Sequence, residues 1–181
     1  SDLSTFWSVD MAIDFDTIVA FPTNVVDIIV ARLNLIDTRL HVMNRGLRKM
    51  DPNLSIGVYP ESWQPVTDTE EFLGLGVAPT SLATLSEYFI QIHTMTKGAD
   101  QVLCQRQHSL LARVVRDILE FDQPFRVALT SLPGVTVNGK TEFFKEFKAL
   151  TQAYFPLDDA SASFINIGAL RCKITTETKI G

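Results

Sequence analysis

The stretch LATLSEYFIQIHTMTK, residues 82–97, runs through Gly98 into ADQVLCQRQHSLLARVVRDILE, residues 99–120. The first stretch alternates, with Tyr88, Ile90 and Ile92 on one side. A period of two is typical of a strand. Its aromatic and β-branched residues favour an antiparallel sheet over the near-continuous apolar strands of a parallel one.

The second stretch predicts an amphipathic helix from about Ala99 to Glu120, with Asp100 or Gly98 as its N-cap. The predicted apolar stripe comprises Leu103, Leu110, Leu111, Val114, Val115, Ile118 and Leu119, and the opposite side carries Arg106, Arg113 and Arg116. Such a helix is expected to pack on the sheet that contains the preceding strand.

Two further elements are predicted before this unit. Helical spacing of apolar residues predicts a helix from about Asn24 to Arg45, with Thr23 or Asn24 as N-cap and Gly46 as the stop. The run LSIGVY, residues 54–59, predicts a short strand closed by Pro60.

After the central unit, most segments favour strands. Strands are predicted over Gln123–Leu132, Val135–Val137 and Ser163–Ile180, the last with a bulge at Gly168, and Thr141–Tyr154 fits either a helix or a strand. The expected fold is therefore α+β, a mostly β, antiparallel sheet packed by two main amphipathic helices. Residues 23–181 are expected to form this single domain.

The N-terminal residues 1–22 are expected to be separate in role. Apolar side chains recur at every second position, at Trp7, Val9, Met11, Ile13 and Phe15. This pattern predicts either an edge strand of the domain's own sheet or an arm that pairs with a neighbouring subunit.

A long loop is predicted over residues 61–81. It combines aromatic residues with acidic ones: Trp63, Phe72, Glu70 and Glu71. Long loops are often functional, and aromatic residues anchor many interfaces. The loop is thus a candidate contact surface, and the alternative is that its aromatic residues fold back onto the core.

Composition indicates a folded domain, with 46% hydrophobic and 20% charged residues. No apolar run approaches a membrane span, and no basic residue precedes the apolar positions of residues 1–16, so a soluble protein made in a cytoplasm is expected. Cys104 and Cys172 are expected to be buried free thiols.

The net charge of -5 is unevenly distributed. Residues 1–30 contain acidic residues without Lys or Arg, residues 31–50 are mainly basic, and residues 51–80 are again purely acidic. Blocks of alternating sign suit docking between copies or onto a partner, where they set orientation. They are equally consistent with solvated faces.

Local motifs predict no catalytic, metal or cofactor site. The segment GLGVAP, residues 74–79, has Pro79 in place of a third glycine, and Cys104 and His108 share a helix face without a second pair of ligands. His41, His93 and His108 fall on separate elements without a nucleophile motif. An acidic chain also makes specific nucleic-acid binding improbable.

The order of elements over residues 24–180 resembles the tail terminator (tail-completion) family of long-tailed bacteriophages. The resemblance rests on the predicted strand at residues 54–59, the strand YFIQI at 88–92 that leads into the helix at 99–120, and the closing strand ALRCKITTET at 169–178. Residues 1–21 and the loop at 61–81 depart from the family's pattern.

This resemblance implies a virion protein that assembles as a hexameric ring. Such a ring sits at the head-proximal end of the tail tube, ends tube polymerisation, and joins the tail to the head-closure proteins of the neck. DNA passes through its lumen without being read, no cofactor is required, and the protein is present in the host cytoplasm during assembly.

Other functions remain open at this point. The chain could be another neck protein, such as a head-closure or adaptor protein, or a tail-tube subunit. It could also be an adaptor that binds one host protein through Trp63 and Phe72, or a small-molecule enzyme that uses His93 and His108.

Overall fold

The computed structural model describes residues 20–66, 83–137, 139–158 and 163–180. Their elements, in chain order, are α1 (Ala20–Leu33), β1 (His41–Met43), β2 (Leu54–Pro65), β3 (Ala83–Gly98), α2 (Gln101–Phe121), α3 (Gln123–Thr130), β4 (Val135–Val137), β5 (Lys140–Asp158) and β6 (Phe164–Ile180). None of these helices is long and apolar enough to cross a membrane.

The strands form one sheet in the order β1-β2-β3-β6-β5-β4. Only β1 and β2 run parallel, and the other neighbours are antiparallel. The two central strands pair without interruption from Ala83 opposite Lys179 to Gly98 opposite Phe164. The predicted α+β class with a dominant antiparallel sheet is confirmed.

The core lies between one face of the sheet and the helices. Its fully buried side chains come from α1, α2, α3, β2, β3 and β6, and include Val25, Ile29, Leu33, Ile56, Val58, Ile90, Ile92, Val115, Phe125 and Ile174. Burying an aliphatic or aromatic side chain of this kind stabilises a fold by roughly 1.5–3 kcal/mol. The alternation predicted for β3 therefore supplies much of the sheet's share of the core.

Helix α2 follows β3 as predicted, but its buried face is rotated by about one residue. Asp100 is the N-cap, and its side chain accepts a hydrogen bond from the Leu103 backbone N at 3.1 Å. The buried positions are Cys104, His108, Ala112, Val115 and Leu119. Leu103 and Leu110, expected inside, are 53% and 65% exposed.

The predicted helix from Asn24 to Arg45 is wrong in its second half. Helix α1 ends at Leu33, and His41–Met43 form β1, which pairs with residues 55–57. The apolar residues after Leu33 continue the helical spacing by coincidence, because they lie in a turn and then in a strand. Arg45 ion-pairs with Asp51 at 2.7 Å instead of ending a helix at Gly46.

Thr23 and Asn24 do not cap α1. Both lie inside the helix, which the described chain enters at Ala20. The predicted boundary between an N-terminal arm and the domain at residue 22 therefore falls within a helix. The segment around Trp7–Phe15 lies outside the described residues.

The predicted strand over Gln123–Leu132 is wrong, because Gln123–Thr130 form helix α3. Asp122 caps this helix by accepting a hydrogen bond from the Phe125 backbone N at 3.0 Å, and Pro124 occupies its first turn. Phe125 and Leu129, four residues apart, are buried. The Asp-x-Pro start was the local signal that outweighed the apparent alternation.

The undecided stretch at 141–154 belongs to strand β5. Its pairing with β6 shifts register between Phe144 and Glu146 and again between Ala149 and Gln152. Each extra residue moves the inward side chains by one position. This explains why the aromatic residues of the strand appeared to have helical spacing.

Strand β2 is longer than predicted. It does not stop at Pro60 but continues to Pro65, with a register shift between Pro60 and Ser62. The predicted loop at 61–81 is therefore wrong for residues 61–65, which belong to β2, and residues 67–82 lie outside the described chain. Trp63 consequently lies on a strand.

The bulge predicted at Gly168 is also wrong. Gly168 pairs in register with Thr94 on one side and Tyr154 on the other. A Cβ atom at this position would lie 2.7 Å from Thr94 Oγ1 and 2.9 Å from His108 Cε1. Glycine is needed here because helix α2 approaches the sheet closely.

Candidate interaction surfaces

The residues predicted to form contacts are only partly within the described structure. Those outside it are Trp7, Val9, Met11, Ile13, Phe15, Glu70, Glu71 and Phe72. Trp63 is described, and 56% of its surface is exposed. The register shift after Pro60 places it opposite Tyr88 of β3, near the end of the sheet where α1 begins.

A groove of about 510 Å³ lies beside Trp63. We call it the Trp63 groove; it is lined by Pro22, Pro60, Glu61, Ser62, Trp63, Thr84, Ser86, Tyr88, Lys140, Glu142 and Thr178. The wall of the groove is thus built from α1 and four neighbouring strands. A concave site with apolar walls and a few polar groups is typical of a binding surface.

Hydrogen bonds hold the wall of the Trp63 groove in place. The Tyr88 hydroxyl donates to a Glu142 carboxylate oxygen at 2.7 Å, and Thr176 Oγ1 donates to the same oxygen at 2.8 Å. Phe21 stacks on Tyr88 with ring centroids 6.1 Å apart. Burial, together with the neighbouring Glu142, raises the pKa of Tyr88, so the phenol stays protonated as a donor.

Ion pairs tie the rim of the groove to the face of the sheet away from the helices. Glu61 lies 2.9 Å from Arg171, which in turn stacks over the Phe89 ring at 3.9 Å. Glu87 accepts a hydrogen bond from Gln64 at 2.8 Å. These contacts brace the projecting part of β2 that presents Trp63.

A second apolar surface lies on the outer side of α2. Its exposed residues include Val102 and two residues that the sequence placed on the buried stripe, Leu103 and Leu110. Leu110 also borders a pocket of about 150 Å³, here called the Leu110 pocket. The pocket is lined by Ile36, Asp37, Arg39, Leu40, Leu54, Gln107, Leu110, Leu111 and Val114.

The turn at residues 37–39 forms one rim of the Leu110 pocket. The Arg39 side chain pairs with Asp37 at 2.9 Å, and the Arg39 backbone N donates to Asp37 Oδ1 at 2.8 Å. These hydrogen bonds lower the pKa of Asp37 to about 2. Arg106 and Arg113 are exposed on α2, so cationic side chains accompany the apolar lining.

The two surfaces lie at opposite ends of the sheet. Leu54, which lines the Leu110 pocket, pairs with Thr96, whereas Trp63 pairs with Tyr88. At about 3.3 Å per residue, the segment of β3 between Tyr88 and Thr96 spans roughly 26 Å. One molecule therefore presents two unlike surfaces that lie far apart on the sheet.

Cys104 and His108, the pair weighed as metal ligands, belong to a packed polar cluster. The Asn166 side-chain N donates to Cys104 Sγ at 3.1 Å, and Cys104 Sγ donates to the Thr96 backbone O at 3.3 Å. His108 Nε2 and Thr94 Oγ1 share a hydrogen bond at 2.9 Å. The described residues contain no group of three or more His, Cys, Asp or Glu side chains placed to hold a metal ion.

The three histidines occupy different environments. His41 is exposed on β1, and His93 lies edge-on to Tyr59 with ring centroids 5.2 Å apart. His108 is fully buried under Tyr154, at 4.6 Å between centroids. Burial lowers the pKa of both His93 and His108. The fold thus places the two histidines considered for an enzyme on separate elements and in separate surroundings.

Sequence reasoning found Trp63 but missed the Leu110 pocket. An available signal was the width of the apolar stripe on α2. Leu103, Leu110 and Val114 follow one helical row, while Cys104, Val115 and Leu119 follow a neighbouring one. Two rows together are wider than one buried face requires, so one of them lies partly at the surface.

No protein-family model matches this sequence, and neither does any curated protein.

Proposed function

We propose that this chain is a structural virion protein that forms a ring at the head-proximal end of a phage tail tube. The ring ends tube polymerisation and joins the tail to the neck. The proposal combines the resemblance in element order with the observed α+β fold. Its immediate partners are further copies of itself, the tail-tube protein and a head-closure protein, and DNA passes through the lumen without being read.

The observation that carries this proposal is the pair of unlike surfaces at opposite ends of the sheet. The Trp63 groove and the Leu110 pocket differ in shape and in lining. A contact between two different surfaces is heterologous, and repetition of such a contact generates either a closed ring or an open filament. A tail terminator needs the closed form, and a hexamer is the size that we propose.

The arrangement of the histidines disfavours the enzyme alternative. His108 packs fully buried beneath Tyr154, while His93 contacts Tyr59. A general acid or base must reach the proton that it transfers. His108 contacts Thr94, and His93 is the preceding residue of β3, so the two histidines lie on opposite faces of the sheet.

Electron microscopy of purified protein, with and without the cognate tail-tube protein, tests the proposal. We expect closed rings or monomers for the protein alone, and short tubes with a capped end when the two proteins are mixed. The tube protein alone, which should form long tubes, is the control. Long tubes formed by this chain alone would identify it as a tube subunit, and uncapped tubes in the mixture would identify another neck component.

A further inference from the structure

We infer that the Leu110 pocket of one copy receives the Trp63 side chain of a second copy. This contact would be the repeating joint of the ring, so the inference rests on the proposed function and specifies its interface. The two parts of this contact are an exposed aromatic residue on β2 and an apolar pocket between α2 and the turn after α1.

The chemistry of the two surfaces matches. Trp63 is a large aromatic side chain, 56% exposed, on a strand segment braced by side-chain contacts. Leu40, Leu54 and Leu110 provide an aliphatic lining in the pocket. A buried tryptophan in a desolvated apolar pocket is among the strongest anchors found at protein interfaces.

The rim of the pocket also carries a cation that would contact the Trp63 indole of the second copy. The Arg39 side chain is 74% exposed and lies at the pocket. A guanidinium over the face of an indole adds a cation–π contact. The Asp37 carboxylate holds the turn that carries Arg39, so that the guanidinium is already directed by its ion pair before a partner arrives.

The charged residues around the two surfaces are consistent with contact between the Leu110 pocket and the Trp63 groove. The exposed side of α2 carries Arg106 and Arg113 close to the pocket residues Gln107 and Leu110. The Trp63 groove is lined by two acidic residues, Glu61 and Glu142, and one basic residue, Lys140. Opposite charges around an apolar anchor set the orientation of the contact.

Trp63 cannot fill the pocket of its own molecule. Both surfaces are attached to the β2–β3 ladder, which runs from Leu54 opposite Thr96 to Trp63 opposite Tyr88 with one register shift between Pro60 and Ser62. This ladder holds them roughly 26 Å apart at the rise of an extended strand. A Trp63 side chain in this pocket must therefore come from another copy, and each copy then offers its own Trp63 to the next.

Site-specific cross-linking tests the contact directly. One preparation carries Ser62→Cys, next to Trp63, and a second carries Gln107→Cys, at the wall of the Leu110 pocket, so that Trp63 and Leu110 stay intact. The two are mixed at high protein concentration under mild oxidation. We expect disulfide-linked dimers in the mixture and not in either preparation alone. Cys104 and Cys172 are both buried, and burial raises the pKa of Cys172 to about 12, so the native thiols should not compete.

Val127 provides the matched control. It is 51% exposed on α3, away from both surfaces, so Val127→Cys mixed with Ser62→Cys should give no more than background linkage. Linkage with Val127→Cys equal to that with Gln107→Cys, or no linkage in either mixture, would overturn the inference.

A non-covalent version uses Trp63→Ala and Leu110→Asp, each checked for native folding by circular dichroism. Native mass spectrometry should show neither variant forming rings alone, while their mixture forms dimers, because the intact pocket of one meets the intact Trp63 of the other. A self-complementary contact would not be rescued in this way. A mixture that remains monomeric while wild-type protein forms rings also contradicts the inference.

The same preparations separate this inference from the proposed function. If tubes are capped but no linkage forms between the cysteines at positions 62 and 107, the ring uses another joint or the pocket takes the tube protein, and only the inference fails. If linkage forms but tubes are never capped, the contact exists and the proposed role in the tail fails.

Discussion

His108 shows how a single buried side chain shapes the attachment of α2 to the sheet. The ring lies between Thr94, Gly168 and Tyr154, and its Nδ1 has no hydrogen-bond partner in the described part of the chain. A buried imidazole with one free nitrogen is tolerated only in its neutral form. Protonation of His108 should therefore weaken the packing of α2 on the sheet.

Stability should fall as the solution becomes mildly acidic. Burial lowers the pKa of His108 in the folded protein, so below about pH 6.5 the unfolded chain takes up a proton that the folded one resists. The lost stability grows as pH falls from that value towards the lowered pKa, by up to about 1.4 kcal/mol per pH unit for one proton. His93 contributes in the same direction.

Urea titrations between pH 7.5 and 5.5 measure this dependence. His108→Leu should flatten the decline, and His93→Leu should flatten it less, because His93 is only half-buried. A decline that is unchanged in His108→Leu would show that other groups are responsible.

Gly168 provides a steric test at the same place. Gly168→Ala should lower the free energy of unfolding by about 1 to 3 kcal/mol, as overpacking does in tight interiors. The new methyl group would crowd Thr94 Oγ1 and His108 Cε1. Gly98→Ala is the matched control, because nothing lies within 4 Å of a Cβ at that glycine. Equal effects in the two variants would argue against crowding as the cause.

At the scale of elements, Asp122 joins two helices. It caps α3 through the Phe125 backbone N, and it receives hydrogen bonds from the Arg32 side chain of α1, each at 2.6 Å. These hydrogen bonds lower the pKa of Asp122. The residue thus sets both the start of α3 and the position of α1 on the sheet.

Replacement of Asp122 should separate these two roles. Asp122→Asn keeps a capping oxygen and loses the ion pair, whereas Asp122→Ala also loses the cap and should be less stable by about a further 1 kcal/mol. Asp100→Asn is the control, because Asp100 caps α2 with an exposed side chain. Chemical denaturation that finds Asp122→Asn as stable as wild type would show that the ion pair contributes nothing.

How much could be predicted also differs between elements. Strand β3 and helix α2 were predictable because local alternation, the Asp100 cap and helical spacing agree. Helix α3 was not, because Phe125 and Leu129 fit both a strand and a helix, and the cap at Asp122 decided between them. The end of α1 was predicted too late, because residues 41–43 pair with β2 in the sheet and do not continue the helix.

The two candidate surfaces also differ in whether the local sequence could predict them. Trp63 could be proposed from an aromatic residue in an acidic stretch. The Leu110 pocket could not be placed, because it forms only when α2 packs beside Leu54 and the turn at Asp37. Exposure of Leu110 depends on the choice of Cys104 and His108 as the inward row, and that choice is made by their partners Thr94, Thr96 and Asn166.

At the scale of the whole molecule, a subunit with two unlike apolar surfaces should be more stable assembled than alone. Association that requires the folded state raises its melting temperature by mass action, and the rise grows with protein concentration. Wild-type protein should therefore melt at a higher temperature when its concentration is raised. A concentration range of roughly a hundredfold should make this rise measurable.

Trp63→Ala should remove this dependence while leaving the isolated subunit intact. Trp63 is largely exposed, so its truncation should cost little at low concentration, where wild type and variant should melt together. Val127→Ala, at a similarly exposed position on α3, should retain the wild-type dependence. Calorimetry of the three proteins makes the comparison. Loss of a contact between copies lowers the melting temperature only at concentrations where the copies associate. A Trp63→Ala variant that melts lower than wild type at every concentration would therefore show that Trp63 stabilises the fold of the single subunit.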